Sequence, residues 1–134
     1  MKYICLGYYD KAKFDGMSES DRNAMFDACF EYDEHLRASG HAWDEGIALQ
    51  GAETALTLSW KNGKVATTDG PYAETKEQLG GLGVLEARDM NQAVQLMAQH
   101  PAVKFGTIWE IRPIGDMSDI RKASDQRRRQ NAAC

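Results

Sequence analysis

The densest group of acid and base side chains in the chain is Asp69-Gly-Pro-Tyr-Ala-Glu-Thr-Lys-Glu-Gln-Leu-Gly-Gly81. Pro71 fixes its own φ and keeps Gly70 out of the helical region, so the segment enters through a rigid turn. Gly80 and Gly81 close it where a side chain is unwelcome. Between them the residue types suit proton transfer: Asp69 or Glu74 as a base, Lys76 to stabilise a developing anion. Pro71, Tyr72, Glu77, Gly80 and Gly81 would form a binding surface around them. Two further groups join the candidates. His100 would shuttle protons, and Cys29 would be a nucleophile if a base lay beside its thiol.

Each of these residues also has a plain structural use. Asp69 suits a turn that accepts backbone N–H bonds, and Glu74 and Glu77 suit a solvated loop or pairs with Lys76. A protonated His100 at a helix C-terminus is stabilised by the helix dipole. Cys29 suits a small core position, and Trp43, Trp60 and Trp109 suit a core or an interface.

The elements that must position these groups follow from periodicity. Lys2–Tyr9 reads as a strand with apolar side chains on both faces, hence a central one. Residues 10–17 read as a loop. Ser18 is an N-cap with Glu19 and Asp21 in the first turn, and the helix should run to Ser39 and stop at Gly40. Met25, Cys29, Tyr32 and Leu36 form its inner stripe. Residues 41–50 read as extended. Ala55–Trp60 and Lys64–Thr68 flank Asn62-Gly63, a strong hairpin signal, and so deliver the chain to Asp69. Leu82–Ala87 is a further strand. Asp89 with Gln92 makes a capping box for a second helix whose inner stripe is Ala93, Leu96 and Met97. Phe105–Pro113 is the last strand.

This order of strand, helix, hairpin, strand, helix, strand predicts an α+β, ferredoxin-like antiparallel sheet with two helices on one face. Apolar side chains on both sides of several strands predict a homodimer packed sheet to sheet.

With 134 residues the chain suits one domain with a real core. The domain is expected over residues 1–115, with 116–134 as a basic tail, a frayed helix or a disordered end. Residues 1–115 hold 11 Lys/Arg against 17 Asp/Glu, and the tail holds 5 against 3. An acidic body offers no footprint for nucleic acid. No apolar run reaches membrane-spanning length, and the N-terminus has no signal-peptide pattern, so a cytoplasmic protein is expected. Three cysteines (Cys5, Cys29 and Cys134) form no C-x-x-C pair, and His35, His41 and His100 are too scattered for a zinc signature. No phosphate-cradling loop or dinucleotide fingerprint is present. No cofactor and no metal are therefore expected.

The Asp69–Gly81 motif closely resembles the signature of the DGPF subgroup of the YCII-related family, with Tyr72 for the usual Phe. Met1-Lys-Tyr3, Leu36-Arg-Ala-Ser-Gly-His41, Glu86-Ala-Arg-Asp89, His100-Pro101 and Ile111-Arg-Pro113 are similar to that family as well. The resemblance covers residues 1–114. It implies a dimeric α+β barrel. The resemblance also brings a His–Asp pair, proposed as catalytic in some relatives, a relative that acts as a dehydrochlorinase in chloroaromatic breakdown, and an association of the subgroup with extracytoplasmic-function sigma factors. In simpler relatives the His lies about three turns before the terminal Gly of the first helix, and the Asp precedes the Pro after the second. In this chain those positions hold Cys29 and His100.

The function expected is cofactor-free acid–base chemistry on a small molecule (isomerase, lyase or hydrolase type) in a pocket between the sheet and the Asp69–Gly81 loop. The alternative is a non-catalytic ligand-binding or regulatory module, acting with a sigma factor.

Overall fold

The computed structural model describes residues 1–43 and 46–132. Its elements run β1 (Lys2–Asp10), α1 (Lys11–Asp15), α2 (Glu19–Ala38), β2 (Ile47–Ala48), β3 (Leu56–Lys61), β4 (Lys64–Asp69), β5 (Glu77–Glu86), α3 (Met90–Ala98), β6 (Ile108–Pro113) and α4 (Ser118–Ala132). Four strands form one antiparallel sheet in the order β2-β5-β1-β6, and β3 and β4 form a separate hairpin. The sheet is open: no closed barrel forms among the described residues.

Local chemistry explains most of these boundaries. The Ser18 hydroxyl accepts from the Asp21 amide (3.1 Å) and starts α2, and Gly40 takes φ +85° just beyond its end. Asn62 and Gly63 both take positive φ, as a two-residue hairpin turn of this hand requires. The Asp89 carboxylate accepts from the Gln92 amide (2.8 Å) to start α3. The return bond from Gln92 goes to the Arg88 amide instead of the cap's own, so the box is shifted by one residue.

The register puts Tyr3, Cys5 and Gly7 of β1 on the same face as Leu85, Gly83 and Gly81 of β5 and as Ile111 and Trp109 of β6. Leu36 of α2 and Ala93 and Met97 of α3 pack on that face with Tyr3, Cys5, Trp43, Leu85 and Ala87 as one core. Burying apolar area here, at about 25 cal/mol per Å², holds both helices to the sheet.

Several expectations are corrected. Residues 10–17 are not all loop, because the Asp10 carboxylate accepts from the Ala12 and Lys13 amides and caps the short helix α1. Strand β5 begins at Glu77 rather than Leu82, since its first residues pair with the end of β1 across a bulge at Gly7/Tyr8. The last five motif residues are therefore sheet, not loop. Residues 101–105 form a 3-10 turn that Pro101 can start but not extend, so the final strand begins at Ile108. The expected extended run over 41–50 holds at Ile47–Ala48, while positions 44 and 45 lie outside the described residues, as does Cys134. The tail carries a regular helix over Ser118–Ala132. No described helix is long and apolar enough to cross a membrane.

Candidate functional site

A cavity of about 380 Å³ opens between the sheet and the elements α1, α2 and the 3-10 turn at 101–105. Its floor exists because the sheet lacks side chains there. A Cβ on Gly7 would lie 2.9 Å from the Trp109 ring, and one on Gly83 would lie 2.6 Å from the Trp43 ring. Both indoles therefore lie against bare backbone, and the cavity keeps its depth. Its remaining walls are mostly apolar and include Phe14, Met25, Phe26 and Phe105. Phe14 packs edge-on to both Tyr9 (5.9 Å) and Phe26 (6.1 Å).

At the inner wall stands a carboxylate–imidazole pair. His100 is 6% exposed, and its Nε2 lies 3.4 Å from Oδ1 of Asp33. His100 sits at the start of the 3-10 turn, where its Nδ1 accepts the Ala102 amide at 3.2 Å. A nitrogen that accepts is unprotonated, so the neutral ring carries its proton on Nε2, facing Asp33. The rings of Tyr32 (5.5 Å) and Trp109 (5.1 Å) meet His100 edge-to-face and fix its plane. At 3.4 Å the contact is longer than a closed hydrogen bond, and Asp33 Oδ1 has no hydrogen-bond donor among the described residues.

Polar atoms left unpartnered concentrate here. Four buried side-chain atoms lack a hydrogen-bond partner among the described residues: Asp33 Oδ1, Trp43 Nε1, Trp109 Nε1 and Gln78 Oε1. Three of the four belong to residues lining this cavity. Each such group costs about 1–3 kcal/mol, so their clustering marks a place where stability is given up.

Cys29 shares the wall with the pair, one turn before Asp33 on the same face of α2. Burial pushes its thiol up to about 11, the Asp33 charge adds to the rise, and a hydrogen bond from the Ala102 backbone opposes it. Cys29 and His100 thus line the same cavity, and both draw on the Ala102 amide. At neutral pH the thiol keeps its proton, and a protonated thiol is a poor nucleophile.

Other sequence candidates stand elsewhere. Of the Asp69–Gly81 motif, only Gly80 and Gly81 line the cavity. Asp69 ends the separate hairpin opposite Leu56. Pro71 and Glu74 are exposed, and Tyr72 is 93% exposed. Glu77 lies in β5 opposite Asp10. Lys76 reaches the cavity rim indirectly, through a 3.7 Å ion pair with Oδ2 of Asp10.

The sequence reading did not single out Asp33. Its signal was available: Met25, Cys29 and Asp33 form one i, i+4 row, which puts a carboxylate on the buried face of the helix. Lys13 was also passed over. It lines the cavity from the last turn of α1 and has no ion-pair partner among the described residues, whereas Lys11 pairs with Asp15 at 2.9 Å. Among the described residues no three His, Cys, Asp or Glu side chains gather as a metal ion requires.

A family model for the YCII-related domain matches residues 1–118. No curated protein matches the chain.

Proposed function

The chain belongs to the YCII-related family, and from that premise and the buried pair we propose that it is a cofactor-free acid–base enzyme acting on a small molecule. The observation that carries this reading is the contact of Asp33 with His100 at the wall of an apolar cavity. The relatives' pair is a His on the first helix and an Asp before the Pro. Here the helix supplies the carboxylate, one turn beyond Cys29, and the position before Pro101 supplies the imidazole. The pair is kept with its two members exchanged.

On this reading the labour is divided differently from the sequence expectation. Both His100 nitrogens are engaged, Nδ1 by the Ala102 amide and Nε2 by Asp33. Asp33 is therefore the base: it takes a proton from a carbon or hydroxyl of the substrate, and the Nε2–H of His100 holds its carboxylate in place. In an isomerisation the same proton returns at a second position; in an elimination it leaves with the departing group. His100 is a positioning residue on this reading, and Cys29 is a thiol that stays protonated. The DGPF-subgroup assignment rests on the Asp69–Gly81 motif, whose contribution to the cavity is the glycine pair.

Thermal-shift screening against a metabolite library, followed by turnover of the hits, tests this. Asp33→Asn should lower turnover at least about 100-fold, the usual range for a removed general base, with hits still bound. Bound hits that no variant and no native protein transforms would instead favour a non-catalytic binding module.

The finer fold reading is also a proposal. The strand order β2-β5-β1-β6 with α2 and α3 on one face supports the ferredoxin-like topology. Leu56, Leu58, Trp60 and Val65 are all more than half exposed. They lie on one face of the hairpin, and such a face supports a homodimer. Sedimentation of the native protein at micromolar concentration decides it: a monomer there would remove the dimer.

A further inference from the structure

Among the described residues that line the cavity, formal charges are nearly all committed. Asp33 faces His100, and Asp10 caps α1 with one oxygen and meets Lys76 with the other. Lys13 is the exception, a cation at the rim with no ion-pair partner among those residues. Its position is set by the backbone. Gly106 ends the 3-10 turn at φ +99°, and the Lys13 Nζ lies 3.4 Å from where a Gly106 Cβ would stand.

The same five-residue turn therefore has His100 at its start and the Lys13 ammonium at its end. At about 2 Å rise per residue the backbone ends, His100 and Gly106, are about 12 Å apart. Between them the walls are aromatic and apolar: Phe14, Phe26, Phe105 and Trp109.

We infer that the substrate is a small organic anion, an aryl or cyclic body with a carboxylate arm, anchored by Lys13 with its reacting carbon at Asp33. The inference rests on the acid–base reading and adds the substrate class to it. A neutral amphiphile would leave the ammonium unused, and a cation would be repelled at the entrance. A molecule with its charge on the ring carbon that reacts would place an anion against Asp33, which like-charge repulsion disfavours. The remaining arrangement puts charge at the rim and the ring inside, with the length of the 3-10 turn between the two tasks.

A matched pair of probes tests this, 3-phenylpropionate against 3-phenylpropionamide, with binding followed by ligand-observed NMR titration. The acid should bind native protein about tenfold more tightly, the factor expected for one charge-assisted hydrogen bond at an exposed rim. Lys13→Met should abolish the preference and Lys13→Arg should keep it. Lys13 is exposed, so neither change endangers the fold. Equal binding of acid and amide, a preference that survives Lys13→Met, or no binding of either probe at millimolar concentration overturns the inference. Asp33→Asn separates the two proposals. If that variant keeps the Lys13-dependent preference and no anion is ever turned over, the anion anchor stands and the acid–base reading falls. If turnover depends on Asp33 yet ignores Lys13, the reverse holds.

Discussion

Two regions of this molecule hold candidate acid–base groups, and they are built in opposite ways. The Asp69–Gly81 segment gathers its ionisable groups within a few residues, and most of them face solvent. The Asp33–His100 pair is separated by 67 positions in the chain and is assembled only when α2 and the 3-10 turn pack over the sheet. Charge crowded along a sequence meets high dielectric, where an ion pair contributes little. Charge brought together by folding meets low dielectric, where each contact counts for more and each unpaired atom costs more. Proximity in sequence is thus a poor guide to proximity in a cavity.

Substitutions at each region in turn separate the two. Asp33→Asn should lower kcat/KM for any turned-over hit at least about 100-fold. His100→Gln, which removes the positioning imidazole but keeps a hydrogen-bonding group, should cost less. A loss as large from Glu74→Ala, with Asp33→Asn harmless, would move the chemistry to the loop.

A second measurement sharpens the structural half. Gly83→Ala pushes a methyl group to 2.6 Å from the buried Trp43 ring and should destabilise by about 1–3 kcal/mol, as overpacking does. Chemical denaturation gives the value directly; a change under about 0.5 kcal/mol would mean that the indole moves freely.

The thiols supply a pH test. Cys29 is raised to about 11 and Cys5, through burial alone, to about 12, against 9.0 for the unperturbed group. Between those limits the unfolded chain releases protons that the native state retains, so the native state binds more and stability falls as pH rises. The contribution is fully present below about pH 9 and is lost through the folded values. Unfolding midpoints measured from pH 8 to 11 should decline, and Cys5→Ala with Cys29→Ala should flatten that decline. Alkylation of Cys29 should be slow at pH 8 and accelerate as pH climbs toward 11. Rapid alkylation at neutral pH would revive the thiolate.

The smallest effect belongs to the loop. Lys76→Ala removes a 3.7 Å pair whose lysine side chain is 77% exposed, so stability should change by no more than about 0.5 kcal/mol. A larger loss would show that Asp10 relies on it to hold the rim.

Much of the scaffold was legible because its signals are local. The Ser18 and Asp89 caps, the Asn62-Gly63 turn and the two-faced apolar pattern of β1 each act over a few residues, and each is where the sequence put it. The α1 helix was missed because its cap, Asp10, closes the preceding strand, and strand and cap signals overlap there. Strand β5 was begun too late because Glu77, Gln78 and the glycine pair have low strand preference, and pairing with β1 overrode it. The site was legible only in halves. His100 and Cys29 stand out by type, but Asp33 does not, because it is a charge inserted in the apolar i, i+4 row of Met25 and Cys29. Lys13 was hidden with the helix that carries it. Nothing in the spacing of residues 33 and 100 announces their meeting, which depends on how one helix crosses one sheet.

The self-contained hairpin has a consequence in time. Among the described residues β3 and β4 pair with each other and with no strand of the main sheet, while β1 is bonded along both edges. Opening the hairpin breaks one ladder; exposing β1 means parting it from both neighbours. Amide protons of Leu56–Lys61 and Lys64–Asp69 should therefore exchange with solvent long before those of Tyr3, Cys5 and Gly7. The Asp69 turn would be remade many times over while the cavity floor beneath Asp33 and His100 stays shut.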